Sequence, residues 1–159
     1  MSTEVPTQQE RRIPKSTRIA VIAARFNSDI VDELLRGCVH RLTEIGLPAS
    51  RIAVHHVPGA FELPVAAKVL AKRKKFSAII CLGAVIRGET PHFDFVAGEA
   101  ARGIAQVAIK HTLPVIFGVL TTDTREQAQA RAGGSHGHAG IRAADAAVEM
   151  IEFMARIKH

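Results

Sequence analysis

Ala78-Ile79-Ile80-Cys81-Leu82-Gly83-Ala84-Val85-Ile86-Arg87-Gly88-Glu89-Thr90-Pro91-His92-Phe93-Asp94 is the stretch that decides the fold. Its apolar opening, Ala78 to Cys81, reads as a buried strand. The strand is expected to end in a loop carrying Gly83, Gly88, Arg87, Thr90 and His92, with a helix pattern starting near Phe93. A strand, a glycine-bearing loop and a helix start make a seat for anions. Backbone N–H groups point outward there, and the helix dipole favours negative charge. His92 stands beside that seat, and imidazole is the side chain suited to moving protons near neutral pH.

Working outward, Thr17–Ala24 reads as a strong buried strand and Arg25–Ser28 as a turn, with Asn27 or Ser28 available to cap a helix. Ile30, Val31, Leu34, Leu35, Cys38, Val39, Leu42 and Ile45 recur at helical spacing until Gly46. Arg51–Val57 is a second strand, Pro58–Phe61 a loop, and Glu62 to about Lys74 a second helix. After the Ser77–Leu82 strand, a helix is expected from about Phe93 to His111 and a fourth strand over Pro114–Leu120. A polar stretch with a short helix, a glycine break at Gly133–Gly137 and a last helix to about Ile157 complete the chain. Strands alternating with helices argue for an α/β fold: a four-stranded parallel sheet inside a three-layer α/β/α sandwich. Ligands then belong at the carboxyl ends of the strands.

Composition agrees. The chain is 47% hydrophobic but only 4% aromatic, so the core is Ala, Val, Ile and Leu, which suits a covered parallel sheet. A length of 159 residues suits one domain over residues 17–159, behind a polar N-terminal arm, Met1–Ser16, expected to be flexible. The net charge of +6 raises nucleic-acid binding, but the cations are scattered and not interleaved with aromatics. Lys72-Arg73-Lys74-Lys75 reads as a solvated helix end. An anionic substrate also suits the positive balance. Cys38 and Cys81 fall in apolar segments and read as reduced core residues. There is no signal-like apolar segment and no run near the ~18 apolar residues of a membrane span, which points to a cytoplasmic protein.

Each candidate residue has two readings. Phe26 either staples its own helix or offers a flat face to a planar ring. Glu62 is either ordinary first-turn helix electrostatics or an acceptor for substrate hydroxyls. Arg131 is either a surface cation or a guanidinium for phosphate. His136-x-His138 hints at metal, but the sequence supplies no third ligand, so none is expected. Neither a P-loop nor a dinucleotide glycine spacing is present.

Taken together, Ala24-Arg25-Phe26-Asn27, Val57-Pro58-Gly59-Ala60-Phe61-Glu62-Leu63-Pro64, Gly83 to Asp94, and Phe117-Gly118-Val119-Leu120-Thr121-Thr122 resemble the 6,7-dimethyl-8-ribityllumazine synthase family, from about Arg18 onward. The resemblance implies a flavodoxin-like sandwich and a transferase of riboflavin biosynthesis. That reaction condenses 5-amino-6-ribitylaminouracil with 3,4-dihydroxy-2-butanone 4-phosphate, releases phosphate and water, and uses no metal or organic cofactor. It implies that Phe26 stacks on the pyrimidine, and that Ala60, Phe61 and Glu62 hold the ribityl chain. Ala84, Val85 and Ile86 line the ring pocket, Glu89 and Thr90 meet the phosphate through backbone N–H groups, and His92 transfers protons. Phe117 and Arg131 come from a neighbouring subunit of a homopentamer, twelve of which pack into an icosahedral cage in some members. No nucleic acid and no membrane are implied as partners.

Two positions depart from the pattern. The family has Gly-Asn-Lys-Gly and then a carboxylate, where this chain reads Gly137-His138-Ala139-Gly140-Ile141-Arg142. Ala139 removes a phosphate-side cation and Arg142 replaces the carboxylate. These changes motivate a second reading, an assembly scaffold with weakened catalysis.

Overall fold

The computed structural model describes residues 12–158. The arm expected over residues 1–16 therefore falls, through residue 11, outside the described residues. Ile13 packs against the core, and Thr17 donates to the Pro14 carbonyl through its amide (3.0 Å) and its hydroxyl (2.6 Å).

The parallel sheet has four strands: β1 (Ile19–Ala24), β2 (Ile52–Val57), β3 (Ala78–Ile86) and β4 (Val115–Thr122), in the order β2-β1-β3-β4. The two central strands are buried along nearly their whole length, because helices cover both faces. Their side chains alternate between two cores. Ile19, Val21, Ala23, Ile80 and Leu82 pack with α1 (Ser28–Ile45) and α5 (Ala139–Ile157). Ala20, Ile22, Ile79 and Cys81 pack with α2 (Leu63–Lys72) and α3 (His92–His111). This is the expected three-layer sandwich. Cys38 and Cys81 are free and buried, one in each core. Burial pushes both thiols up to about 12.

Strand order reverses direction between β1 and β3, since β2 lies on one side of that pair and β4 on the other. That switch opens a crevice at the carboxyl ends.

Three boundaries differ from expectation. β3 does not end at Leu82; it continues through Gly83 to Ile86, because β4 pairs with it from Ile79↔Val115 to Ile86↔Thr122. Gly83 is thus a strand residue, and a Cβ there would make only ordinary contacts with Leu63, Ala24 and Ala60. β4 likewise runs on through Thr121 and Thr122. The second helix starts at Leu63, after a 3-10 turn over Ala60–Glu62. Pro64 in its first turn explains the late start, since a proline there lacks only an N–H that no helical carbonyl needs.

After β4 come α4 (Arg125–Ala130) and then a small antiparallel pair, β5 (Ala132–Gly134) with β6 (Gly137–His138), in place of the expected glycine break. Gly133 (φ 97) and Gly137 (φ 81) take the left-handed conformation this tight return requires. Lys72, Arg73, Lys74 and Lys75 are exposed at the end of α2, as a solvated helix end should be.

Candidate active site

Three strand ends are tied together at the crevice. The Arg25 and Phe26 amides after β1 donate to the Val57 and Pro58 carbonyls after β2, at 2.8 and 3.0 Å. Asn27 then reaches the third strand, where its Nδ2 donates to the Ala84 carbonyl at 2.9 Å. Neither Asn27 nor Ser28 caps α1 with its side chain. Asn27 occupies the N-cap position in the left-handed region (φ 57), which asparagine tolerates, and its amide is committed to Ala84. Phe26 is left projecting, 72% exposed.

These ties enclose a cavity of about 660 Å³. Of the residues singled out in the sequence, Phe26, Ala60, Phe61, Glu62, Ala84, Val85, Ile86, Thr90 and His92 line it. Its walls are mostly apolar and aromatic, with a carboxylate, a hydroxyl and an imidazole converging, the composition of a small-molecule site. Glu62 folds back toward the extended Gly59, where a Cβ would lie 3.3 Å from Oε2.

The anion seat is shorter than the sequence suggested. It consists of Arg87 to Pro91, followed at once by α3. Among the described residues the amides of Gly88, Glu89 and Thr90 donate to no backbone or side-chain acceptor. The His92 amide faces Thr90 Oγ1 at 3.5 Å. His92 is exposed at the first position of α3, where the helix N-terminus attracts an anion. Glu89 is exposed and does not line the cavity.

Phe117 and Arg131 are not brought to this cavity within the chain. They line a second one of about 480 Å³, with Arg87, Asp123 and Gln127 among its other walls. Phe93 borders both. Arg131 Nη1 donates to the Gln127 carbonyl at 2.9 Å, and Gln127 closes a capping box with Thr124 at the start of α4.

Sequence reading assigned no role to Asn27 at the cavity, to Phe95 or to Arg87. Phe95 is 68% exposed and lines the first cavity. Its signal was an aromatic lying off the buried stripe Ala97, Ala100, Ile104 and Val107 of α3. Arg87 pairs with Asp123 and Asp94, and the hydrogen bond to Asp123 chiefly raises its pKa above the usual guanidinium value.

A family model described as 6,7-dimethyl-8-ribityllumazine synthase matches residues 16–155, a span that takes in all four strand ends. The chain belongs to this family. Relatives named 6,7-dimethyl-8-ribityllumazine synthase from Coxiella burnetii strains CbuG_Q212, RSA 493 / Nine Mile phase I and Dugway 5J108-111 are each 50% identical over 143 residues. That covers 90% of this chain and 95% of each relative.

The structure places the residues after Arg131 in and around the start of α5. His138 is the N-cap of α5, its Nδ1 accepting from the Gly140 and Ile141 amides at 3.1 and 3.3 Å. That ring nitrogen is a structural acceptor. Ala139, the first residue of α5, packs against the core. Arg142 is exposed and turns back to the hairpin, where a Cβ on Gly137 would lie 2.8 Å from its Nη1.

Proposed function

We propose that the protein makes 6,7-dimethyl-8-ribityllumazine from 5-amino-6-ribitylaminouracil and 3,4-dihydroxy-2-butanone 4-phosphate. The observation that carries this reading is the gathering, in one crevice, of Phe26, Glu62 and His92 from three separate strand ends. Phe26 offers its exposed face to the pyrimidine, and Glu62 accepts from ribityl hydroxyls. The amides of Gly88 to Thr90 and the N-terminus of α3 receive the phosphate. The pyrimidine amine attacks the ketone carbon and water leaves; phosphate departs; a second condensation closes the ring with loss of another water. His92 carries protons between these steps. Holding two substrates in register is the larger share of the work.

Phe117 and Arg131, on a separate cavity of the same chain, serve the site of a neighbouring copy, with Arg131 binding the phosphate. This makes the active form an oligomer, a pentamer or twelve pentamers in a shell. The setting is cytoplasmic; no described helix is long and apolar enough to cross a membrane. The scaffold reading is not favoured, because relatives at 50% identity across 90% of the chain carry the synthase name.

The test is turnover of the two substrates to a fluorescent product, with the native mass measured alongside. No product above the uncatalysed rate refutes the activity. Shared sites predict that Glu62→Ala and Arg131→Ala subunits, each weak alone, recover activity when unfolded and reassembled together. Failure of that complementation, with native mass intact, refutes sharing.

A further inference from the structure

We propose that Arg87 is a positioning residue for the phosphate end of this site, its guanidinium fork locking the first turn of α3 to the end of β4. The inference rests on the functional reading above and assigns it one more residue. Arg87 is the first residue after β3, and its amide donates to the Thr122 carbonyl at 2.9 Å. Its Nε donates to Asp123 Oδ1 at 2.8 Å, and its Nη1 faces Asp94 Oδ1 at 3.4 Å. Its guanidinium carbon lies 4.3 Å from the centroid of the Phe93 ring. One side chain therefore holds the residue after β4 and two residues of the α3 turn that begins with His92.

The contacts continue beyond Asp123. The Asp123 amide donates to Gln127 Oε1 at 2.8 Å, and the Gln127 carbonyl accepts from Arg131. Arg87 thus links the helix that presents His92 to this site with the segment whose Arg131 serves the neighbouring copy's site.

Stability does not account for this arrangement. The side chains of Arg87, Asp94 and Asp123 are 45%, 64% and 68% exposed, and ion pairs in that setting contribute little. Positioning does account for it, because a planar fork that also stacks on a ring fixes direction in a way an ammonium cannot. Arg87 also offsets two carboxylates that would otherwise repel an anion approaching the loop.

The experiment compares wild type with Arg87→Lys and Arg87→Ala. It measures KM for each substrate, kcat, affinity for inorganic phosphate by calorimetry, thermal midpoint and native mass. Arg87→Lys is expected to keep midpoint and mass. It should raise KM for the butanone phosphate and weaken phosphate binding by about tenfold or more, while KM for the pyrimidine stays within about twofold. Wild-type values in Arg87→Lys overturn the proposal, since a point charge would then suffice. A rise in both KM values together with a lower midpoint also overturns it, as a merely structural effect. If wild type itself shows no turnover, the functional reading falls and the phosphate titration decides this inference alone. Weaker binding in Arg87→Lys sustains it; equal binding, or none by wild type, ends it.

Discussion

Replacing Gly37 by alanine tests how closely α1 and α5 are fitted. Gly37 lies in the middle of α1, where alanine normally improves a helix by about 1 kcal/mol. Here the new Cβ would fall against the His138 imidazole, 2.9 Å from Nδ1 and closer still to Cε1 and Nε2, whereas ordinary contact begins at 3.4 Å. The ring cannot swing aside freely, because its Nδ1 accepts the two amides that open α5. If it leaves, the cap is lost, at about 0.5–2 kcal/mol. If it stays, the overpacking costs about 1–3 kcal/mol. Against the propensity gain of about 1 kcal/mol, the net is a destabilisation of up to about 2 kcal/mol, at about 2–4 °C in thermal midpoint per kcal/mol. The assay is denaturant unfolding at fixed protein concentration, so that assembly does not alter the comparison. Asparagine at position 138 is shorter and caps well, so Gly37→Ala in a His138→Asn background should cost much less than in wild type. A Gly37→Ala protein more stable than wild type, or a double variant showing no relief, would refute the reasoning.

The remaining expectations are direct. Phe26→Ala should raise KM for the pyrimidine substrate by about ten- to a hundredfold, the scale of one lost aromatic stack, with native mass unchanged; steady-state kinetics check it. Glu62→Gln should raise the same KM about tenfold or more, as a charge-assisted acceptor is replaced by a neutral one. Cys38 and Cys81 should resist a thiol reagent in the native protein and both react in strong denaturant. Because burial pushes their pKa values up, the folded state keeps protons that the unfolded chain releases, so stability should fall as pH rises past about 9, measured as midpoint against pH. Asp29, held below the ordinary carboxylate value mainly by its hydrogen bond from Arg125, has the opposite sign. Its contribution is present above the carboxylate range and lost as pH falls through it, so Asp29→Asn should flatten the acid limb of the same curve slightly.

The sandwich was legible because its signals are local. A run such as Ile19–Ala24 can be apolar at every position only if both faces of its strand are covered, and α1 advertises its buried stripe at helical spacing. That ligands belong at the carboxyl ends followed from the alternation of strands and helices, and the candidates stood in motifs at those strand ends; the strand order that opens the crevice between β1 and β3 came only with the structure. What the sequence misplaced was the extent of β3 and β4. Gly83 looks like the start of a loop until the hydrogen bonds of a neighbouring strand carry it onward, and those partners lie more than thirty residues away.

The same distinction separates the side chains. Composition and periodicity determined which residues are inside, since burial of apolar area depends on residue type and spacing along the chain. Only the tertiary structure decided what the polar groups do: Asn27 serves Ala84 rather than capping its own helix, His138 caps α5 in a niche floored by Gly37, and Arg87 joins β4 to the helix bearing His92. A hydrogen bond is directional and short, so its partner is fixed by where the folded backbone places the acceptor, which residue type and spacing alone do not specify.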